Sequence, residues 1–221
     1  MIETDRIVRA CLSWDPAFAH DRSALVLIQK KETVRDFEFG ELPITVRKWY
    51  EVRDISVLKG DYLRQSDEVI SRWIKTNGWY RQHRVPVSIL VDAAGVGISV
   101  VQTLRSRALL AEVTPSIRAY SFVASNTPMG YSHNTLRLDK ISVYEHAYSA
   151  MATGQLKIDS KIPLAKELRQ ELENLQVTNS QSGRPLINAA SGSYDDLVTA
   201  TVAGLAYLDL KGEMRAIPSI F

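Results

Sequence analysis

The sequence predicts an α/β fold in which a mixed β-sheet, three antiparallel strands followed by parallel ones, is flanked by helices on both faces. Three observations predict it. Three stretches rich in β-branched and aromatic residues come first, joined by short turn-like connections that suit antiparallel neighbours. A helical period then alternates with a nearly continuous apolar run, Val87-Ser88-Ile89-Leu90-Val91, of the kind a strand buried on both faces requires. The remainder is mostly helical in spacing, which supplies the cover for two sheet faces.

Taken in order, residues 7–14 alternate Val8, Ala10 and Leu12 with Arg9, Cys11 and Ser13, and Asp15-Pro16 ends the strand because proline offers no ladder donor. Ala24-Leu25-Val26-Leu27-Ile28 and residues 44–52 read as the second and third strands. Tyr62, Ser66, Val69, Ile70, Trp73 and Ile74 then fall at helical spacing, with Asn77-Gly78 the expected stop. After the buried run come Asp92-Ala93-Ala94-Gly95-Val96-Gly97, a helix over residues 98–107 and a strand over 117–123. Ile141, Tyr144, Tyr148 and Met151 mark a helix that ends at Gly154; Leu164, Leu168, Leu172 and Leu175 mark another. Short strands at 156–158 and 185–187 are expected to pair with each other. The last helix starts near Asp195, and its Ala200, Ala203 and Gly204 would let it lie close against a sheet. Trp49, Trp73 and Trp79 read as packing residues. This order matches the ribonuclease-H-like architecture, although fold order alone assigns no chemistry.

Composition narrows the class. With 221 residues, 45% hydrophobic and 24% charged, the chain is not disordered, and no repeat or linker divides it, so residues 1–221 are expected to form a single domain. No apolar run approaches the roughly 18–20 residues of a membrane span, and the first six residues, Met1-Ile2-Glu3-Thr4-Asp5-Arg6, lack a secretory core. A lone Cys11 excludes a disulfide framework and a multi-cysteine zinc site, and His20, His83, His133 and His146 show no ligand spacing. A net charge of +2 neither demands nor excludes nucleic acid, since a nuclease needs only a local positive patch around acidic ligands.

The acids carry the chemistry. Asp15 closes the first strand, Asp92 ends the buried parallel strand where open α/β sheets place ligands, and Asp195 and Asp196 open the last helix. Each has an ordinary alternative: a turn former for Asp15, a helix cap for Asp92, an N-cap for Asp195 or Asp196. In the deduced sheet the first and fourth strands are adjacent and parallel, so Asp15 and Asp92 emerge at one edge and the last helix can bring its acids over it. Clustered carboxylates repel by several kcal/mol even at an effective dielectric near 20. Hard, oxygen-preferring Mg²⁺ or Mn²⁺ would relieve that repulsion, and two such ions suit phosphodiester hydrolysis. Asp15 would bridge the pair, with Asp92 on one ion and Asp195 or Asp196 on the other; Asp21 is an auxiliary candidate.

Trp14-Asp15-Pro16 with Asp21, Val91-Asp92-Ala93-Ala94-Gly95-Val96-Gly97, and Tyr194-Asp195-Asp196-Leu197-Val198-Thr199-Ala200 together resemble the nuclease domain of bacteriophage large terminase subunits, in the family's order and over essentially the whole chain. The resemblance implies a metal-dependent endonuclease that cuts concatemeric viral DNA during genome packaging. It makes Asp15, Asp92 and Asp195/Asp196 the metal-binding acids and Asp21 an accessory. It also implies double-stranded DNA, a packaging ATPase domain, a portal protein and a small terminase subunit as partners, in the host-cell cytoplasm. Tyr194 stands where family members often carry histidine, which leaves open which of Asp195 and Asp196 binds metal. A full large terminase begins with a packaging ATPase, but no G-x-x-x-x-G-K-[ST] loop occurs here, so an isolated nuclease domain, expected to be monomeric, is the reading.

Cleavage indifferent to sequence needs backbone contacts, for which Arg81, His83, Arg84, Arg105, Arg107, Arg137 and Lys140 are the candidate cations. The polar stretch 124–133 could form a DNA-facing loop or hairpin. Competing readings are a junction resolvase of the same fold, which would need a tight dimer, and a non-catalytic DNA- or portal-binding packaging module. A sugar-kinase or actin-like phosphotransferase would need a glycine-rich phosphate turn after the first strand, and Asp15-Pro16-Ala17-Phe18 has none.

Overall fold

Long antiparallel strands open the chain because charged residues continue the ladder beyond its apolar part. In the computed structural model, which describes residues 2–17, 22–36, 43–94, 97–125, 127, 129–132, 135–179, 185–189 and 194–213, β1 (Ile2–Asp15), β2 (Ser23–Asp36) and β3 (Ile44–Leu58) each run well past the stretches expected from hydrophobic pattern. Cross-strand pairs hold the extensions, among them Arg35 with Glu3 at 2.6 Å and Thr33 with Asp5 at 2.7 Å. Helix α1 (Tyr62–Gln82) follows, then β4 (Val87–Asp92), α2 (Gly97–Leu110), β5 (Ser116–Val123), β6 (Met129–Ser132) and β7 (Thr135–Asp139). The remaining elements are α3 (Lys140–Ala152), β8 (Leu156–Ile158), α4 (Ala165–Glu173), β9 (Leu175–Asn179), β10 (Pro185–Ala189) and α5 (Asp196–Glu213).

Eight strands form one sheet in the order β6-β7-β5-β4-β1-β2-β3-β8. β2 is antiparallel to both β1 and β3, while β4, β5 and β7 run parallel to β1, so the mixed sheet predicted from sequence is the sheet observed. Helices α1 and α2 cover one face over Leu12, Trp14, Ile89 and Val91; α3, α4 and α5 cover the other over Cys11, Val26, Ile28 and Leu90. Among the described residues, no helix is long and apolar enough to cross a membrane.

Four expectations need correction. Helix α1 does not stop at Asn77-Gly78 but continues to Gln82. A mid-helix glycine costs about 1 kcal/mol, and burial on either side of it outweighs that: Trp73 donates from Nε1 to the Val87 carbonyl (3.1 Å) and Tyr80 donates to Gln29 Oε1 (2.6 Å). Trp79 is not a packing residue; it is half exposed and stacks on His83. The short strand at 156–158 does not pair with 185–187. It extends the main sheet beside β3, while β10 pairs with β9 in a separate hairpin, where Leu175 belongs to the strand and not to the preceding helix.

α5 owes its place to Gly204. A Cβ there would stand 2.8 Å from Ile28 Cδ1, 3.0 Å from Ser13 Cβ and 3.3 Å from Cys11 Sγ, so only glycine lets this turn of α5 rest on β1 and β2. Asp209 anchors the far end of the same helix, accepting from Lys48 Nζ (2.9 Å) and the Tyr50 hydroxyl and lying 3.1 Å from His146 Nε2. Gly204→Val should therefore overpack the contact, cost about 1–3 kcal/mol and lower the melting temperature by about 2–4 °C per kcal/mol, as read by thermal denaturation. An unchanged melting temperature would contradict the close helix–sheet approach.

Candidate active site

Trp14 is the last residue of β1 on the α1/α2 face; it is fully buried and donates from Nε1 to Ser23 Oγ at 2.9 Å. Successive strand residues point to opposite faces, so Asp15 turns towards α5. β4 does the same: Val91 faces α1 and α2, and Asp92 points away from them. Because Trp14 pairs with Val91 in the parallel register, the two aspartates are the next residue on each of two hydrogen-bonded strands. Neighbouring strands lie about 4.8 Å apart. Asp195 and the first residue of α5, Asp196, lie close enough to act electrostatically on Asp15.

Burial and like charge set the protonation of this group. Asp15 is held well above the usual carboxylate range by burial first, then by Asp92, Asp196 and Asp195, with Lys140 opposing. Asp92 is raised by burial and restrained by the Ala94 N–H, which donates to its Oδ1 at 2.8 Å, and by Lys140. Burial and mutual repulsion thus act against charge on both Asp15 and Asp92. Two buried tyrosines line the site. Tyr120 stands opposite Asp92 on β5, with its hydroxyl unpartnered among the described residues, and Tyr144 shares a 2.9 Å hydrogen bond with Thr199. Burial pushes both phenols up, and the acids push further.

Asp139 shows what a structural acid looks like at the same edge. It ends β7 and caps α3, accepting from the Ser142 amide (2.9 Å), the Ser142 hydroxyl (2.6 Å) and the Ser125 amide (2.9 Å). These bonds hold its carboxyl below the ordinary value despite burial. Among the described residues, no hydrogen-bond donor serves the Asp15 carboxyl. The ordinary alternatives for the other acids also fail in part. Asp92 serves the turn at Ala94, and the amides that an Asp195 cap would serve are taken by Glu171.

Glu171 is the residue that sequence reasoning missed. It sits on α4, is 6% exposed, and its Oε2 accepts from Leu197 N–H (2.9 Å) and Val198 N–H (3.2 Å). Its carboxyl is pushed up to about 7, by burial and by Asp196, against those two amides and Arg22, whose Nη1 lies 3.7 Å away. The only sequence signal was a glutamate on the Leu168/Leu172 side of an amphipathic helix.

The candidate cations separate by position. Arg81, His83 and Arg84 precede β4 and so lie at its opposite end, roughly 17 Å of strand from Asp92. Helix α2 runs back from the acidic edge, which carries Arg105 and Arg107 away from it, and Arg107 is tied to Asp67 of α1, with Nη2 2.8 Å from Oδ2. Those positions do not support a phosphate contact beside the acids. Lys140, which opens α3, does act on Asp15 and Asp92, and Arg137 lies exposed on β7, three residues earlier in the chain. Asp21 lies outside the described residues.

The donors fit a hard divalent cation in kind: all are carboxylate oxygens, and the charge that lifts Asp15 is what a cation would neutralise. Among the described residues, no three acids, histidines or cysteines are already gathered to hold an ion.

No protein-family model and no curated protein matches the chain. Solved structures do. The large terminase nuclease from thermophilic phage G20c superposes with a TM-score of 0.55 at 14% identity, covering 90% of this chain and 82% of that one. A magnesium-bound structure of the same nuclease gives 0.55 at 15%, covering 90% and 80%. The manganese-soaked human cytomegalovirus terminase nuclease domain gives 0.58 at 9%, covering 95% and 87%. The chain therefore has the ribonuclease-H-like fold of terminase nuclease domains.

The acid chemistry makes a sign prediction for the protein without divalent ions. Groups whose folded pKa is raised contribute stability that is complete below their unfolded pKa and is lost as pH rises through the folded value. For Glu171 that window runs from 4.5 to about 7, and Asp15 and Asp92 shift in the same direction. Asp139 and Asp209, which are lowered, act oppositely and only at more acidic pH. The melting temperature in EDTA should fall between pH 5 and pH 7.5, and Asp15→Asn should flatten the slope. A melting temperature that rises across this interval would contradict the assignment.

Proposed function

We propose that residues 1–221 act as one nuclease unit, a divalent-metal-dependent endonuclease that cuts double-stranded DNA during viral genome packaging. The observation that carries the reading is that Asp15 and Asp92 directly follow the last paired residues, Trp14 and Val91, of adjacent parallel strands, with Asp195 and Asp196 raising the Asp15 carboxyl. The fold shared with terminase nucleases supports it, and the metals present in two of those structures agree with the donor chemistry.

Asp15, on which the other three acids act, would be a ligand common to both ions, with Asp92 helping to hold one and Asp195 or Asp196 the other. When bound, a Mg²⁺ or Mn²⁺ pair supplies Lewis-acid activation of water and neutralises charge at the scissile phosphate and its leaving 3′-oxygen. The chain's own contribution is to hold the carboxylates ready on rigid strand ends. Trp14 and the β1–β4 ladder fix Asp15 against Asp92, and Glu171 fixes the opening turn of α5. Lys140 offers positive charge beside the acids for the phosphate backbone, a contact that reads no base and accounts for low sequence specificity. In this role the unit works in the host cytoplasm beside a packaging ATPase, a portal and a small terminase subunit.

Asp15→Asn and Asp92→Asn should each lower Mn²⁺-dependent cleavage of linear and supercoiled plasmid by at least about 10³-fold, with circular dichroism unchanged and the metal-free melting temperature equal to or above wild type. Cleavage retained in both variants would overturn the reading. Cutting confined to four-way junctions by a dimer would favour the resolvase alternative instead.

A further inference from the structure

The first backbone bond of α5 runs from Thr199 N–H to the Asp195 carbonyl (2.7 Å), which makes Asp195 the N-cap residue. An aspartate in that position ordinarily turns its carboxylate back onto the amides of the second and third helical residues. Here those residues are Leu197 and Val198, and both amides donate instead to Glu171 Oε2, from a helix 26 residues earlier in the chain. The local cap is therefore redundant. Among the described residues, the Asp195 carboxylate has no hydrogen-bond partner, and it acts on Asp15 and Tyr144. A second contact holds the approach to the helix: the Arg22 guanidinium, 3.7 Å from Glu171 Oε1, lies 4.9 Å over the Tyr194 ring.

We propose that Glu171 is a positioning residue that caps α5 in place of Asp195 and so releases the Asp195 carboxylate to the acid cluster as a metal ligand. The metal half of this statement rests on the function proposed above; the capping half does not. A glutamate on α4 can do this because it is buried by the docking of α4 against α5, and two amides at a helix N-terminus are the donors that hold such a carboxyl in place. Asp195, one residue outside the helix, then has no backbone duty that competes with a cation.

The test is a thermal cycle in EDTA over wild type, Asp195→Ala, Glu171→Ala and the double variant, followed by calorimetry with Mn²⁺ alone. With Glu171 present, Asp195→Ala should not lower the melting temperature. With Glu171→Ala, Asp195 takes over the cap, so its removal should cost a further drop of about 2–4 °C. Equal drops in the two backgrounds would overturn the capping claim. If Glu171→Ala does not fold, the Asp195→Ala single variant still decides: a clear loss of stability there overturns it. For metal, Glu171→Ala should weaken Mn²⁺ binding by about tenfold or more, while Glu171→Gln, whose carbonyl still accepts both amides, should stay within about twofold of wild type. A residue with only a structural role would lower the melting temperature and leave Mn²⁺ affinity unchanged, and that result would overturn positioning. Absence of Mn²⁺ binding in wild type would overturn the metal half, leaving the EDTA cycle to decide the capping half.

Discussion

Like charge held at close quarters is the constraint around which this sheet edge is built. Strand pairing sets the backbone separation of Asp15 and Asp92, which directly follow the paired residues Trp14 and Val91. The edge is half-buried, so water screens the repulsion only in part. Protons relieve it at low pH, and divalent cations are the other means available to a set of oxygen donors. In the proposed function, the same arrangement that crowds these carboxyls is what would suit them to ions.

α5 carries the other half of the site, and three contacts set its position. Gly204 lets it rest on β1 and β2, Asp209 ties its far end to β3 and α3, and Glu171 accepts from its opening turn. Asp139 makes the contrast within one edge: its oxygens are taken by Ser142 and Ser125, its carboxyl is lowered, and it serves the backbone. A carboxylate without donors beside other carboxylates is a different object from one saturated with amides, although both are aspartates that end parallel strands.

Asp15, Asp92 and the Asp195–Asp196 pair were legible because each is an acid at the boundary of a strongly patterned element, and strand ends and helix starts can be read from local period. The antiparallel opening strands and the parallel adjacency of β1 and β4 were legible for the same reason, whereas β7 (Thr135–Asp139) was not expected. Glu171 was not, because nothing local separates a glutamate that docks into another helix's N-terminus from one that faces water. Arg107 likewise reads as a free cation until the packing of α1 on α2 brings Asp67 to it. The end of α1 was misplaced because Gly78 is a local signal, whereas the burial of Tyr80 that overrides it comes from β2. β8 and β10 were each found, but three to five residues carry too little pattern to name their partners. The position of the candidate cations relative to the acids was not legible, since only chain direction shows that Arg81, Arg84, Arg105 and Arg107 lie away from them.

The central claim is tested most directly by anomalous scattering from crystals of the protein soaked in Mn²⁺. The account predicts two peaks flanking the Asp15 carboxylate, one shared with Asp92 and one with Asp195 or Asp196. Peaks only at other surface carboxylates, or none beside Asp15 at saturating Mn²⁺, would contradict it.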